Sequence, residues 1–207
     1  MSENAGLQSN RVKLSSRFTK AFELAFDIHR EQTKKGTTVP YISHLLEVAG
    51  LVLSYGGTED EAIAALLHDS VEDHPDDPST KSIGERFGAR VLSIVESCSD
   101  SNVIPKPPWR GRKESYLEHL RHAEESVLMV AAADKLANAR AVIKDYRAVG
   151  DKVWERFNAG KPDQLWYYRT VTDVLIKAAG NGRVRALAEE LKLAVQELER
   201  LCGAASS

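Results

Sequence analysis

The chain has 207 residues, 43% of them apolar, and a formal charge of −2 from 28 basic and 30 acidic side chains. That length carries a full hydrophobic core, and the near-neutral balance lacks the basic field that would argue for nucleic acid. No apolar run reaches the roughly 18 residues of a membrane span, and Cys98 and Cys202, which form no Cys-x-x-Cys, suit a reducing cytoplasm.

Hydrophobic periodicity is helical nearly throughout. Residues 1–14 read as a flexible lead without a secretory core. A first helix is marked by Phe18, Ala21, Phe22, Ala25 and Phe26 on one face, with Ser15 or Ser16 as cap. After "GTTVP" a second helix takes "ISHLLEVAGLVLSY" and stops at Gly56-Gly57. Thr58 and Glu61 have capping-box spacing and launch a third helix, which Pro75 and Pro78 end. "STKSIGERFG" and "ARVLSIVESC" are short helices, and "SDSNVIPKPPWRGRK" is a proline-rich loop. A polar helix runs from about Glu114 to His122, followed by "SVLMVAAADKLANARAVI", the most apolar helix and the expected centre. "QLWYYRTVTDVLIKAA" and "RVRALAEELKLAVQELERL" complete the chain, the latter with a seam of Leu187, Leu191, Val195, Leu198 and Leu201. That seam either closes the domain or joins two copies as a homodimer. The expected fold is one all-α domain of about eight to ten helices.

The third helix ends on "AALLHDSVED" (64–73), where an apolar run meets His68, Asp69, Glu72 and Asp73. At about 100° per residue these four fall in one sector of about 140°. Unpaired buried charge is expensive, and carboxylates sit badly at a negative helix C-terminus, so a cation is expected there. Asp134 follows six apolar residues on a second helix, and His44 interrupts an apolar stripe on a third. Two imidazoles with two carboxylates suit one divalent ion such as manganese, iron or zinc, whereas calcium and magnesium prefer oxygen alone. Each residue alone has a plainer reading, as a satisfied core histidine, a salt-bridge partner or a solvated helix end. His29, His74, His119 and His122 stand in polar contexts and are expected at the surface.

"PYISHLLEVA", "LLHDSVED" and "AADKLANAR", in this order, resemble the HD-domain metal-dependent phosphohydrolases. With "HREQTKKGTTVPYISH" before them, they are most similar to the Rel/Spo hydrolase domain and the stand-alone small alarmone hydrolases. The resemblance spans residues 18–148 and implies an HD-type domain over 15–202, with 150–202 as a divergent helical part. It implies His44, His68, Asp69 and Asp134 as ligands of one metal ion, usually Mn2+, and removal of the 3′-pyrophosphate of (p)ppGpp. Glu72 and Asp73 would handle the protons, and Lys34, Lys35, Asn138, Arg112 and Lys113 would meet the nucleotide. The family places arginine where this chain has Lys34, and arginine is the better stacking partner. Trp154, Trp166, Tyr167 and Tyr168 either form core or wall a base pocket, Tyr167 being the candidate for nucleotide contact. The competing readings are an HD hydrolase of another nucleotide, such as an adenosine alarmone, and an antitoxin or regulatory module paired with a toxin.

Overall fold

The structure is a computed structural model describing residues 12–101 and 105–204; most of the expected N-terminal lead lies outside these. Among the described residues the regular structure is helical: α1 (Ser16–Ile28), α2 (Ile42–Ser54), α3 (Glu59–Leu67), α4 (Ser70–Asp73), α5 (Pro78–Lys81), α6 (Ile83–Phe87), α7 (Ala89–Cys98), α8 (Trp109–Arg121), α9 (Glu125–Val149), a 3₁₀ turn (Gly150–Arg156), α10 (Lys161–Ala178) and α11 (Arg183–Ala204). The fold class is all-α, as the periodicity predicts.

Local sequence explains where the helices start and stop. Ser15 caps α1 through its hydroxyl, which accepts from the Arg17 amide, and the Thr58–Glu61 box closes reciprocally on α3. Asp77 caps α5, with Pro78 in the first turn, where a missing amide is harmless. Gly56 ends α2 at φ +77° and Gly150 ends α9 at φ +61°, a backbone region that glycine enters without a Cβ clash.

The most apolar helix, α9, is the axis of the molecule. It packs against α2, α3, α7, α10, α11 and the 3₁₀ turn, and its stretch from Ser126 to Asp134 is buried on every side. Helix α11 lays Leu187, Leu191, Val195 and Leu198 into the same core. These four residues of the leucine seam are thus buried within the chain, and Leu201 is half-buried.

Three expectations are corrected. Phe26 does not face the core but is 43% exposed, with the Arg30 guanidinium over its ring; Leu24 and Ile28 are buried instead. The proline-rich loop is shorter than expected, because "WRGRK" is already the start of α8. The third helix is not continuous to Pro75: it breaks at His68 and Asp69, with Asp69 at φ −90°, ψ −7°, before α4 resumes.

A buried ion pair ties the ends of the fold together. Glu61 is fully buried and receives two bonds from the Arg183 guanidinium, at 2.7 and 2.8 Å, and one from the Ser126 hydroxyl at 2.8 Å. Burial alone would raise the Glu61 pKa, but Arg183, the Thr58 amide and Ser126 together hold it below the usual value. A carboxyl with a depressed folded pKa contributes stability that is present above its unfolded pKa and lost as pH falls through the folded value. Glu61→Ala is expected to cost about 3 kcal/mol at neutral pH, a drop of about 6 to 12 °C in Tm for a chain of this size. In thermal melts the gap between variant and wild type should narrow below the carboxylate range.

Candidate metal centre and nucleotide cavity

Three helices and one break bring the expected ligands together. His44 comes from the first turn of α2, Asp134 from the buried middle of α9, and His68 and Asp69 from the interruption between α3 and α4. The break matters because adjacent residues on a regular helix diverge by about 100°, whereas His68 and Asp69 here converge. His44, His68 and Asp134 each offer a ligand atom within 4.8 Å of the others. The Asp69 Oδ2 lies 3.6 Å from His44 Nε2 and 3.1 Å from His68 Nε2, and the Asp134 Oδ1 lies 3.3 and 3.6 Å from the same two atoms.

Both imidazole Nε2 atoms are buried and engaged in no hydrogen bond among the described residues. They lie close enough to the carboxylates to feel their charge, yet are not aligned to donate to them. Orphaned buried nitrogens pointing at two carboxylates fit a cation between them. The surrounding contacts support this donor set. The His68 Nδ1 lies 2.8 Å from the Ala65 carbonyl, which places the proton there and leaves Nε2 as the ligand atom. Tyr41 donates its hydroxyl to Asp69, and Asn138 and Lys135 donate to the two oxygens of Asp134.

The electrostatics are strongly coupled. Burial disfavours charge on His68, but Asp69 and Asp134 outweigh it and hold the imidazole well above its usual pKa. Burial likewise opposes the Asp134 carboxylate, yet Lys135 and the two histidines keep it well below the usual range. Lys135 in turn is held charged by Asp134 despite its own burial.

Glu72 and Asp73 flank this centre on α4. Glu72 accepts from Lys106 at 2.9 Å and lies 4.0 Å from Arg112. Asp73 accepts from the Gln32 amide at 2.8 Å. Packed surroundings raise its pKa above the carboxylate norm, and the negative charges of Asp69 and Glu72 add to that.

A cavity of about 300 Å³ opens from the centre, sharing His44 and Tyr41 as wall. Lys34, Lys35, Lys113, Lys135 and Arg156 line it against a single carboxylate, Asp145. Asn138, Trp109, Phe157, Tyr167 and Tyr168 supply polar and aromatic surface. Lys34, Lys35, Lys113, Asn138 and Tyr167 are thus gathered as the resemblance implies. Arg112 is not: it pairs with the buried Asp100 carboxylate outside the cavity, a carboxylate it shares with Lys113. Among the aromatic residues, Trp154 packs against Tyr146 and Phe157, and Trp166 stacks under Arg110. Neither lines the cavity, and Trp109 takes that place.

Sequence reading missed several participants. Tyr41 was visible only as part of the Pro-Tyr-Ile block, and Lys135 only as an ion partner for Asp134. His119 and His122 are exposed as expected, but His29 is 2% exposed and His74 half-buried, so both depart from the surface reading. Their burial answers to Gln32, which sits between them.

Comparison with known proteins agrees with this geometry. A frog (Xenopus tropicalis) protein named guanosine-3′,5′-bis(diphosphate) 3′-pyrophosphohydrolase MESH1 is 38% identical over 123 residues, covering 58% of this chain and 66% of the frog protein. An Aquifex aeolicus protein named guanosine-3′,5′-bis(diphosphate) 3′-pyrophosphohydrolase is 32% identical over 136 residues, which are 66% of this chain but 19% of that one. The chain thus spans just under two thirds of the first relative and a fifth of the second. The solved Listeria monocytogenes protein lmo0812 superposes with a TM-score of 0.67 at 26% identity, covering 76% of this chain and 99% of its own. A metazoan ortholog of SpoT that hydrolyzes ppGpp shares the fold, with a TM-score of 0.68 at 23% identity over 87% of this chain and 96% of its own. The model of the HD domain matches residues 21–164, from α1 to the first turn of α10, and with that the chain belongs to the HD-domain family.

Proposed function

We propose that the protein is a Mn2+-dependent hydrolase that removes the 3′-pyrophosphate of guanosine 3′,5′-bis(diphosphate)-type alarmones ((p)ppGpp), leaving GDP or GTP. The observation that carries this reading is the shared wall: one cavity joins a two-His, two-Asp centre to five cationic side chains and an aromatic lining. A substrate with pyrophosphates at two positions and a purine matches that combination. The named activity of the frog and Aquifex relatives supports it. We assign the activity to one domain over residues 15–202, acting in the cytoplasm, in keeping with the free thiols Cys98 and Cys202.

In this reading His44, His68, Asp69 and Asp134 hold the ion. A divalent ion bound there supplies Lewis-acid stabilisation of phosphoryl charge. Glu72 and Asp73 orient the attacking water, take its proton as its oxygen bonds to phosphorus, and return a proton to the ribose 3′-oxygen as the P–O bond breaks. The raised pKa of Asp73 brings it toward the range in which a base works well. Lys34 and Lys35 lie at the cavity edge for the phosphates, Lys35 now resting on Asn158 at 2.8 Å. Tyr167 offers its ring to the base, with the Lys113 ammonium 4.8 Å from the ring centre. Because lysine stands at position 34, the base is held mainly by aromatic walls, and the adenosine analogue is the second reading.

Purified protein with Mn2+ should release pyrophosphate from guanosine 3′,5′-bis(diphosphate), and chelation should abolish it. Glu72→Gln and Asp73→Asn should each lower kcat by about 10² to 10⁴, measured by chromatography of the products. Turnover confined to the adenosine analogue would replace the guanine assignment, and no turnover of either would reject the function. Lys34→Ala and Lys35→Ala should mainly raise KM, by roughly 10- to 100-fold for a lost charged contact.

Occupation of the centre has its own readout. Mn2+ at a hundredfold excess over Kd should stabilise the fold by about 2.7 kcal/mol, roughly 5 to 11 °C in Tm. His68→Ala should remove that shift; an equal shift in the variant would place the ion elsewhere.

A further inference from the structure

The buried His29 and half-buried His74 are not ligands, yet both turn toward one side chain. Gln32 lies in the connection between α1 and α2, and its Oε1 is 2.5 Å from His29 Nδ1 and 3.1 Å from His74 Nε2. Its Nε2 donates to Asp73 Oδ2 at 2.8 Å. A carboxamide has one acceptor end and one donor end, and an ionised carboxylate only accepts. Reversing the amide would set oxygen against the Asp73 carboxylate, so the two imidazole N–H groups and the carboxylate all select the same orientation. His29 then carries its proton on Nδ1, which leaves Nε2 facing the Ser70 hydroxyl at 3.5 Å. The backbone of Gln32 is fixed as well: its amide donates to the His29 carbonyl at 3.0 Å and its carbonyl accepts from Tyr41 at 2.9 Å. The rings enclose the group, with His29 5.3 Å from Tyr41 and 5.0 Å from His74.

We propose that Gln32 is a positioning residue for the hydrolytic step: braced by His29 and His74, it fixes the rotamer of Asp73 so that the carboxylate meets the attacking water. This rests on the proton-handling role given to Asp73 above. Asp73 needs such a support, because it closes a helix of four residues and, among the described residues, its carboxylate takes its side-chain hydrogen bond from the neutral Gln32 amide. A misplacement of about 1 Å in a catalytic group costs on the order of 10² in rate, and that is the size of effect expected.

The discriminating variant is Gln32→Glu. It keeps the side-chain length and an oxygen for both imidazoles but replaces the N–H that holds Asp73 with a second oxygen. With Mn2+ and guanosine 3′,5′-bis(diphosphate), kcat should fall about 10²-fold, while KM and the Mn2+-induced Tm shift stay close to wild type. Gln32→Met, which has no charge, should give the same loss and covers failure of the first variant to fold. In an Asp73→Asn background either substitution should cost little further, because a group acting through Asp73 has nothing left to position. Nitrogen-15 spectra of the histidine rings should show His29 protonated at Nδ1 in the wild type. Wild-type turnover in Gln32→Glu, or losses that multiply in the double variant, would overturn the proposal while leaving the hydrolase reading intact. Absence of turnover in the wild type would overturn both.

Discussion

Four ligand groups converge in a buried pocket at the meeting of α2, α9 and the α3–α4 break, and the rest of the structure is arranged to tolerate that. Two carboxylates brought together without water repel one another, and removing a charge from solvent costs several kcal/mol even after relaxation. The chain offsets this in layers. Two imidazoles stand between the carboxylates, Lys135 neutralises one side of Asp134, and Asn138 and Tyr41 satisfy remaining lone pairs. What these neighbours leave open are the two Nε2 atoms, which make no hydrogen bond among the described residues. The centre is thus stable enough to form within the core and incomplete in the way a ligand set for a cation is incomplete.

This constraint explains the architecture around it. A site that must present His44, His68, Asp69 and Asp134 from three elements needs an axis that does not shift, and α9 supplies it by being buried over two full turns before Asp134. Helix α11 and the Glu61–Arg183 pair lock the opposite side of α3, so the segment leading to His68 is anchored before it breaks. The break itself is functional geometry. On a continuous helix only one of the two adjacent ligands would point at the centre.

The fold class and the candidate ligands were legible because both write themselves as anomalies of pattern. Helical periodicity runs the length of the chain, and His44, His68 and Asp134 stand out as polar residues inside apolar stripes. The leucine seam of α11 was legible for the same reason, although periodicity left open whether it closes the domain or joins two copies. What could not be read are features decided by non-local contacts. Phe26 has the right spacing for the core and the wrong neighbours: among the described residues it stays 43% exposed, with Arg30 over its ring. Arg112 carries a charge of the right sign next to Lys113, but the buried Asp100 carboxylate twelve positions earlier in sequence captures it. His29 sits in a polar string, and only the folded chain shows that Gln32, Ser70 and Tyr41 enclose it.

The division of labour between the two ends of the cavity follows from their chemistry. In the proposed reaction, contacts beside His44 would change as bonds to phosphorus form and break. Phe157, Tyr168 and Val153 add aromatic and aliphatic wall, alongside the paired Arg156 and Asp145, and in the proposed reaction contacts of a base with such a wall would be the same before and during the chemical step. Contacts of the second kind lower KM without raising kcat, whereas those of the first kind act on the transition state. Under the proposed function a change of base would therefore act through aromatic wall residues such as Tyr167 and leave the hydrolytic apparatus untouched. The proposed chemistry centres on the break between α3 and α4, whereas the aromatic wall of the cavity comes from α8, α10 and the residue that follows the 3₁₀ turn.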